Sequence, residues 1–178
     1  MEELEDPTEQ LKDTMEAAEE KKERWTLHVA LSTAIIAVLA AIAGLYGNHH
    51  ANEAMLEQIK SSDKWAYYQS KSIKAEIAAS TAQIFTALDK PLPKGSEEKM
   101  KGYEKDKADI KKDAEESEKS SEAHMREHII LSRGVTSFQV AIALSAVAIL
   151  TRKKFMWYVS MLLAALGCVF LVLGFLST

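Results

Sequence analysis

The chain of 178 residues carries 22 basic and 26 acidic side chains, a net charge of −4 and a mean hydropathy of −0.13, as an ordinary soluble domain would. Charged residues are nevertheless absent from residues 26–47, 135–151 and 155–178. This segregation excludes a single water-soluble core, and the lack of a large basic patch argues against nucleic acid as a partner. Cys168 is the only cysteine, which excludes a disulfide framework and a paired-cysteine metal site.

Residues 1–25 form an acidic tail with ten acidic and four basic side chains. Asp6 as N-cap and Pro7 as first helical residue predict a helix start. A thin apolar stripe follows at Leu11, Met15, Ala18 and Trp25. Because the tail is acidic, we expect this amphipathic helix to extend the next segment or to bind a partner, and not to lie on anionic lipid.

Three apolar segments, residues 26–47, 128–151 and 155–176, are predicted to be transmembrane helices. The first is about 33 Å long as a helix, enough to cross a hydrocarbon core about 30 Å thick. It is predicted to be an uncleaved signal-anchor, because the tail before it is long and acidic. The second contains Arg133 near one end, where its side chain is expected to reach the headgroups, and Gln139, which is expected to contact another helix.

The basic residues beside these segments predict their orientation. Lys21, Lys22 and Arg24 precede the first segment, and Arg152, Lys153 and Lys154 separate the last two. Both clusters lie on one side of the bilayer if the N-terminus is cytoplasmic. Residues 48–127 and the C-terminus are then expected in the periplasm of a bacterial cell.

Residues 48–127 are predicted to form a long extramembrane antiparallel helical hairpin, with its turn near residues 90–96. Heptad-like spacing marks an expected seam on each arm. The first arm offers Met55, Ile59, Ser62, Ala66, Gln69, Ile73, Ser80, Ile84 and Ala87. The second offers Met100, Tyr103, Lys107, Ile110, Ala114, Ser117, Ser121, His124 and His128.

This seam is poor in large apolar side chains, so the hairpin is not expected to fold alone. We therefore expect a homo-oligomer, with a surface for a further copy or another partner at residues outside the first stripe: Trp65, Tyr67, Tyr68, Ile77 and Phe85. Rows of small residues spaced by four favour close packing of the membrane helices. The residues predicted to take part are Ala37, Ala41, Gly44, Ser137, Ala141 and Ser145.

Histidines flank the predicted hairpin. His49 and His50 precede it, and His124 and His128 end it, so an antiparallel pairing brings all four together. With Glu53 or Glu127 as a carboxylate ligand they are a candidate metal site. The alternative is that these imidazoles hydrogen-bond to headgroups, water or neighbouring helices, and a pH-sensing role is a further one.

The runs HHANEAM at residues 49–55, SDKWAYYQSKSIK at 62–74 and FQVAIALS at 138–145 resemble a family of bacterial inner-membrane proteins, the domain-of-unknown-function family numbered 4337. The resemblance extends from about Lys22 to the C-terminus. It implies an inner-membrane location and a similar three-span layout. It implies no catalytic residues and no activity.

The sequence thus predicts an all-α membrane protein with three transmembrane helices and a hairpin between the first and second. No nucleophile elbow, phosphate-binding glycine loop or zinc-protease motif is present, and we expect neither an enzyme nor a cofactor. We expect a self-assembling inner-membrane scaffold that contacts the lipid bilayer. The alternatives are an oligomeric pore or transport component lined by Arg133 and Gln139, and a sensor of a metal or an unidentified small-molecule ligand.

Overall fold

The computed structural model describes residues 7–176, and in the N-terminal part of the first helix it describes side chains only at Met15, Glu16, Glu19 and from residue 23 onward. Three α-helices and no β-strand are found in this range: α1 (Pro7–Ala87), α2 (Ser96–Thr151) and α3 (Lys154–Leu176). The predicted cap Asp6, and the side chains of the predicted tail stripe at Leu11 and Ala18, lie outside the described residues. The all-α prediction is confirmed, and each helix contains a stretch long and apolar enough to cross a membrane.

Backbone hydrogen bonds end α1 at the position of the predicted turn. Asp89 adopts a left-handed conformation with φ of 51°, and the Lys90 amide donates to the Phe85 carbonyl at 2.9 Å. This hydrogen bond pairs a carbonyl that the last helical turn leaves without a partner. Pro91, which cannot continue a helix, lies just beyond the helix end. Gly95, with φ of 81°, then reverses the chain before α2 begins at Ser96.

The chain divides into two compact units. The three-helix unit comprises residues 1–47 and 129–178, so it contains the apolar parts of α1 and α2 together with α3. The two-arm unit comprises Asn48–His128, with a first arm in α1 and a second arm in α2. Helix α1 runs without a break from the predicted tail through the first apolar segment into the first arm. Helix α2 likewise runs from the second arm into the second apolar segment.

Small residues bring the helices of the three-helix unit close together. Phe138 is fully buried, and its ring lies where a side chain on Gly167 would have to be. Leu131 occupies the corresponding space at Gly174. The core is completed by Ile36, Ala43, Ala141, Ala164 and Leu171. Packing of this kind suits an apolar surrounding, because helices there gain contact area from close approach and not from leaving water.

Buried hydroxyl groups join α2 to α3 in the same unit. The Ser160 hydroxyl donates to the Ala141 carbonyl oxygen at 2.7 Å and lies 2.7 Å from the Ser145 hydroxyl oxygen. All three residues are buried. Each buried hydroxyl therefore has a partner, as burial without water requires.

The arms of the two-arm unit are antiparallel, since contacts link low numbers in α1 to high numbers in α2. The Ser121 hydroxyl donates to the Ala54 carbonyl at 2.8 Å, and the Ser61 hydroxyl donates to the Ala114 carbonyl at 3.2 Å. All four residues are buried. Side chains this small let the two backbones come close enough for a hydroxyl of one arm to reach a carbonyl of the other.

The predicted seam is correct on the second arm and wrong on the first. Ala114, Ser117 and Ser121 are buried as expected. On the first arm the buried residues are His50, Ala54, Ser61 and Ala75, whereas every residue of the predicted seam is exposed. At about 100° per residue, the two sets lie on opposite sides of the helix. The second arm thus packs on the small residues of α1 and leaves its larger apolar residues uncovered.

Candidate functional site

An uncharged stripe runs along the exposed face of the first arm, and we call it the outer stripe. Its residues follow one another at steps of three or four and are all exposed: Met55, Ile59, Ser62, Ala66, Gln69, Ile73, Ile77, Ser80, Ile84 and Ala87. Ile77 fills what would otherwise be a seven-residue step. The five large side chains are between 52% and 61% exposed. Steps of three and four repeated over nine turns are the spacing of a helix that packs along another helix.

The aromatic residues predicted as a partner surface separate into two groups. Trp65, Tyr68 and Phe85 are half-buried, and the Trp65 and Tyr68 rings pack edge to face with centroids 5.5 Å apart. Tyr67 and Ile77 are exposed. Of these five residues, only Ile77 belongs to the outer stripe.

Lys71 joins the arms near their midpoint, a contact that the sequence spacing does not reveal. Its ammonium lies 2.6 Å from Asp106 Oδ2, and 5.4 Å and 5.7 Å from the ring centroids of Tyr67 and Tyr103. The hydrogen bond to Asp106, followed by that to Tyr67, raises the pKa of Lys71 above its usual value of 10.5. The charged ammonium is therefore favoured in the folded protein.

An apolar groove of about 820 Å³ lies between the beginning of the first arm and the end of the second arm. Met55 and Ile59 of the outer stripe form one wall, and Met125 contributes from the second arm. Glu122 and Arg126 border the groove with exposed charges. The outer stripe thus continues into a concave apolar surface.

His50, His124 and Glu127 form a compact cluster, which we call the histidine–glutamate cluster. Glu127 Oε2 lies 2.7 Å from His50 Nδ1 and 3.3 Å from His124 Nδ1. The two Nδ1 atoms are 3.3 Å apart, and the imidazole rings stack with centroids 5.5 Å apart. His50 and Glu127 are buried, and His124 is half-buried. Three atoms able to bind a metal thus converge within 4.8 Å of one another.

The helix register explains this convergence. His124 and Glu127 are three residues apart and so share one face of α2, while His50 projects from α1. His49 is exposed, and its ring meets that of His50 edge to face at 5.6 Å. Of the four predicted histidines the structure brings two together with Glu127. His128 is half-buried, and Glu53 is half-buried on α1.

Residues predicted to act within the membrane segments take different positions in the three-helix unit. Ala141 and Ser145 are buried, and Gly44 and Ser137 are half-buried. The side chains of four further predicted residues are exposed on the outside of the packed helices, namely Ala37, Ala41, Arg133 and Gln139. Of the three residues predicted to pack in the first helix, Gly44 is the one that is half-buried, and the two pore-lining candidates do not face the core of the unit.

Comparison with known proteins gives a family and no activity. A family model described as a domain of unknown function, DUF4337, matches residues 25–177. Neither a curated protein nor a solved structure matches the chain.

Proposed function

Because the chain belongs to the DUF4337 family, whose description assigns no activity, we propose a role from its own geometry. The protein is a non-enzymatic scaffold of a bacterial inner membrane that assembles with further copies of itself through the outer stripe. The observation that carries this proposal is the exposure of the whole stripe, while the second arm covers the opposite face of α1.

Membrane insertion is supported by the three apolar helices. Leu27, Leu31, Ile35 and Val38 are exposed on the three-helix unit, and an exposed aliphatic face of this size is stable in lipid and unfavourable in water. The basic clusters favour an orientation with the N-terminus in the cytoplasm and residues 48–127 in the periplasm.

The partner that best covers the outer stripe is the same stripe of a second copy. Copies inserted in one membrane with the same orientation have first arms that run in the same direction. If a symmetry axis normal to the bilayer relates two copies, each stripe residue of one copy contacts the same residue of the other. Isoleucine then meets isoleucine, serine meets serine, and no charged residue is buried, because the stripe contains none.

The free energy gained by such a contact is comparable with the cost of association. Covering a half-exposed isoleucine or methionine gains roughly 1 kcal/mol, so five such residues on each of two copies gain roughly 10 kcal/mol before the cost of association. The bilayer lowers that cost, because it already holds the copies in one plane and one orientation. Serine and alanine positions within the stripe allow the helices to approach closely.

Disulfide cross-linking tests this assembly. In a full-length Cys168→Ser background, Ser62→Cys places a thiol on the outer stripe, and Lys60→Cys places one on the other side of the same helix. A parallel, in-register assembly predicts a covalent dimer for Ser62→Cys after mild oxidation in membranes, and little for Lys60→Cys. Equal cross-linking of both variants, or a monomeric mass for the detergent-solubilised protein, would contradict the proposal.

A second pair of variants separates assembly from folding. Ile73→Glu together with Ile84→Glu places charges on the stripe, where they meet like charges of the next copy. The variant is expected to be monomeric and still helical, since both side chains are exposed in the single chain. Lys74→Glu, an exposed position outside the stripe, is the matched control and is expected to leave the assembly intact.

A further inference from the structure

We infer that the histidine–glutamate cluster is a binding site for a divalent transition metal, with Zn²⁺ as the best-suited ion. The ligands are Nδ1 of His50, Nδ1 of His124 and Oε2 of Glu127. All three belong to one chain, so the site is independent of the self-assembly proposed above.

The distances between the ligand atoms support a tetrahedral ion. Zinc bonds of about 2.0–2.1 Å in tetrahedral geometry separate neighbouring ligand atoms by about 3.3 Å. Two of the three separations, His50 to His124 and His124 to Glu127, are 3.3 Å. The third, between His50 and Glu127, is 2.7 Å and corresponds to a hydrogen bond that opens by about 0.6 Å when the ion replaces the proton.

The chemistry of the donors selects the class of metal. Two imidazole nitrogens and one carboxylate oxygen suit Zn²⁺ and neighbouring transition metals, whereas Mg²⁺ and Ca²⁺ prefer sites made of oxygen alone. Three protein ligands leave a fourth tetrahedral position for water. Because His124 is half-buried while the other two ligands are buried, that position is reached from the side of His124.

The helices hold the ligands in place before a metal arrives. His124 and Glu127 occupy successive turns of one face of α2, and the Ser121 hydroxyl bonds to the Ala54 carbonyl one turn away. This bond fixes the distance between the arms next to the cluster. A metal bound there joins α1 to α2 and stabilises the two-arm unit, because the unfolded chain does not bring these residues together.

The test uses full-length protein in detergent, purified through a tag without histidine and freed of metal by chelation. Zn²⁺ alone is titrated by calorimetry, and its content is measured by elemental analysis. We expect one Zn²⁺ per chain, a melting temperature that rises with Zn²⁺ concentration, and an affinity lowered by more than about 100-fold in His124→Gln. His49→Gln, which alters the exposed neighbouring histidine, is expected to bind Zn²⁺ as the unaltered protein does.

His124→Cys keeps the test decisive if removal of the imidazole disturbs folding. A thiolate is itself a zinc ligand, so this variant is expected to bind Zn²⁺ where His124→Gln does not. Co²⁺ in place of Zn²⁺ adds a visible absorption band whose intensity reports tetrahedral coordination. The proposal is overturned if the unaltered protein retains no more Zn²⁺ than His124→Gln, or if His49→Gln abolishes binding while His124→Gln does not.

Discussion

At the scale of single residues, one glycine of the three-helix unit lies directly against an aromatic ring. A Cβ atom on Gly167 would lie 2.7 Å and 2.8 Å from two ring carbons of Phe138, which is itself fully buried. We expect Gly167→Ala to destabilise the protein by roughly 1–3 kcal/mol, because the ring has no empty space to enter. Thermal unfolding in detergent measures this loss.

Gly44→Ala is the matched control for that substitution. A Cβ there would lie 4.0 Å from Val135, an ordinary contact distance. We expect the melting temperature to be unchanged or slightly raised, since alanine favours the helix more than glycine does. An equal loss of stability in both variants would show that the effect arises from the helix backbone and not from the Phe138 ring.

Lys71 makes the stability of the two-arm unit depend on pH in the alkaline range. Its pKa is raised in the folded protein by the hydrogen bonds to Asp106 and then Tyr67. The contribution is therefore complete below pH 10.5, the usual lysine value, and is lost as the pH rises through the higher pKa of the folded state. Lys71→Gln should lower the melting temperature below pH 10.5, and this difference should shrink above it.

Lys112→Gln, at an exposed position of the second arm, controls for the removal of a lysine as such. Its difference from the unaltered protein is expected to stay small at every pH. A deficit in Lys71→Gln that persists unchanged at alkaline pH would show that the lysine stem packs against the tyrosines and that its charge contributes nothing.

At the scale of the elements, the two faces of the first arm differ in burial, and two neighbouring residues show the difference. Ala54 is 1% exposed and Met55 is 57% exposed. Ala54→Leu is expected to separate the arms and to destabilise the two-arm unit by roughly 1–3 kcal/mol, since it overfills the seam. Met55→Ala is expected to change unfolding by no more than about 0.5 kcal/mol while weakening the assembly.

Two measurements on the same two variants separate the loss of stability from the loss of assembly. Circular dichroism follows unfolding, and the mass of the solubilised particle reports assembly. The reverse result, with Met55→Ala destabilising the single chain and Ala54→Leu leaving it unchanged, would place the seam on the outer stripe.

The sequence predicts the helices and the turn better than it predicts which face of a helix is used. The turn at residues 90–96 follows from its prolines and glycine. The seam of the second arm follows from the few apolar positions of an otherwise charged helix. On the first arm the strongest apolar periodicity runs through Met55 and Ile73, and it therefore predicts a seam on the wrong face. The partner arm packs instead on Ala54 and Ser61, because only small residues allow hydroxyl-to-carbonyl bonds between helices.

The candidate metal cluster was predictable in part for a related reason. His50 lies close to the start of the predicted hairpin, and His124 lies close to its end. An antiparallel hairpin therefore brings the two histidines side by side. The choice of His50 over His49 depends on helix rotation, since adjacent residues differ by about 100° around the axis. The carboxylate of the cluster comes from Glu127 and not from Glu53, because Glu127 follows His124 by three residues and so shares its helix face.

At the scale of the whole molecule, the separation of charged from apolar segments supports the proposed orientation in a bilayer. If all three apolar helices cross a bilayer, the N-terminal part of α1 and the end of α3 lie on opposite sides of it. Two of these crossings separate Lys21, Lys22 and Arg24 from the basic residues between α2 and α3, so both basic clusters then lie on the same side. In the proposed orientation both clusters lie in the cytoplasm, as the positive-inside rule favours.

Thiol labelling of intact bacterial cells tests this orientation in a Cys168→Ser background. Lys94→Cys lies in the exposed connection between α1 and α2, and Lys153→Cys lies in the exposed connection between α2 and α3. A membrane-impermeant maleimide is expected to label the first in intact cells and the second only after permeabilisation. The opposite pattern would place the two-arm unit in the cytoplasm, where the bilayer would still align the copies and the outer stripe would still meet its counterpart. Orientation and assembly are thus separate properties, and the labelling experiment decides only the first.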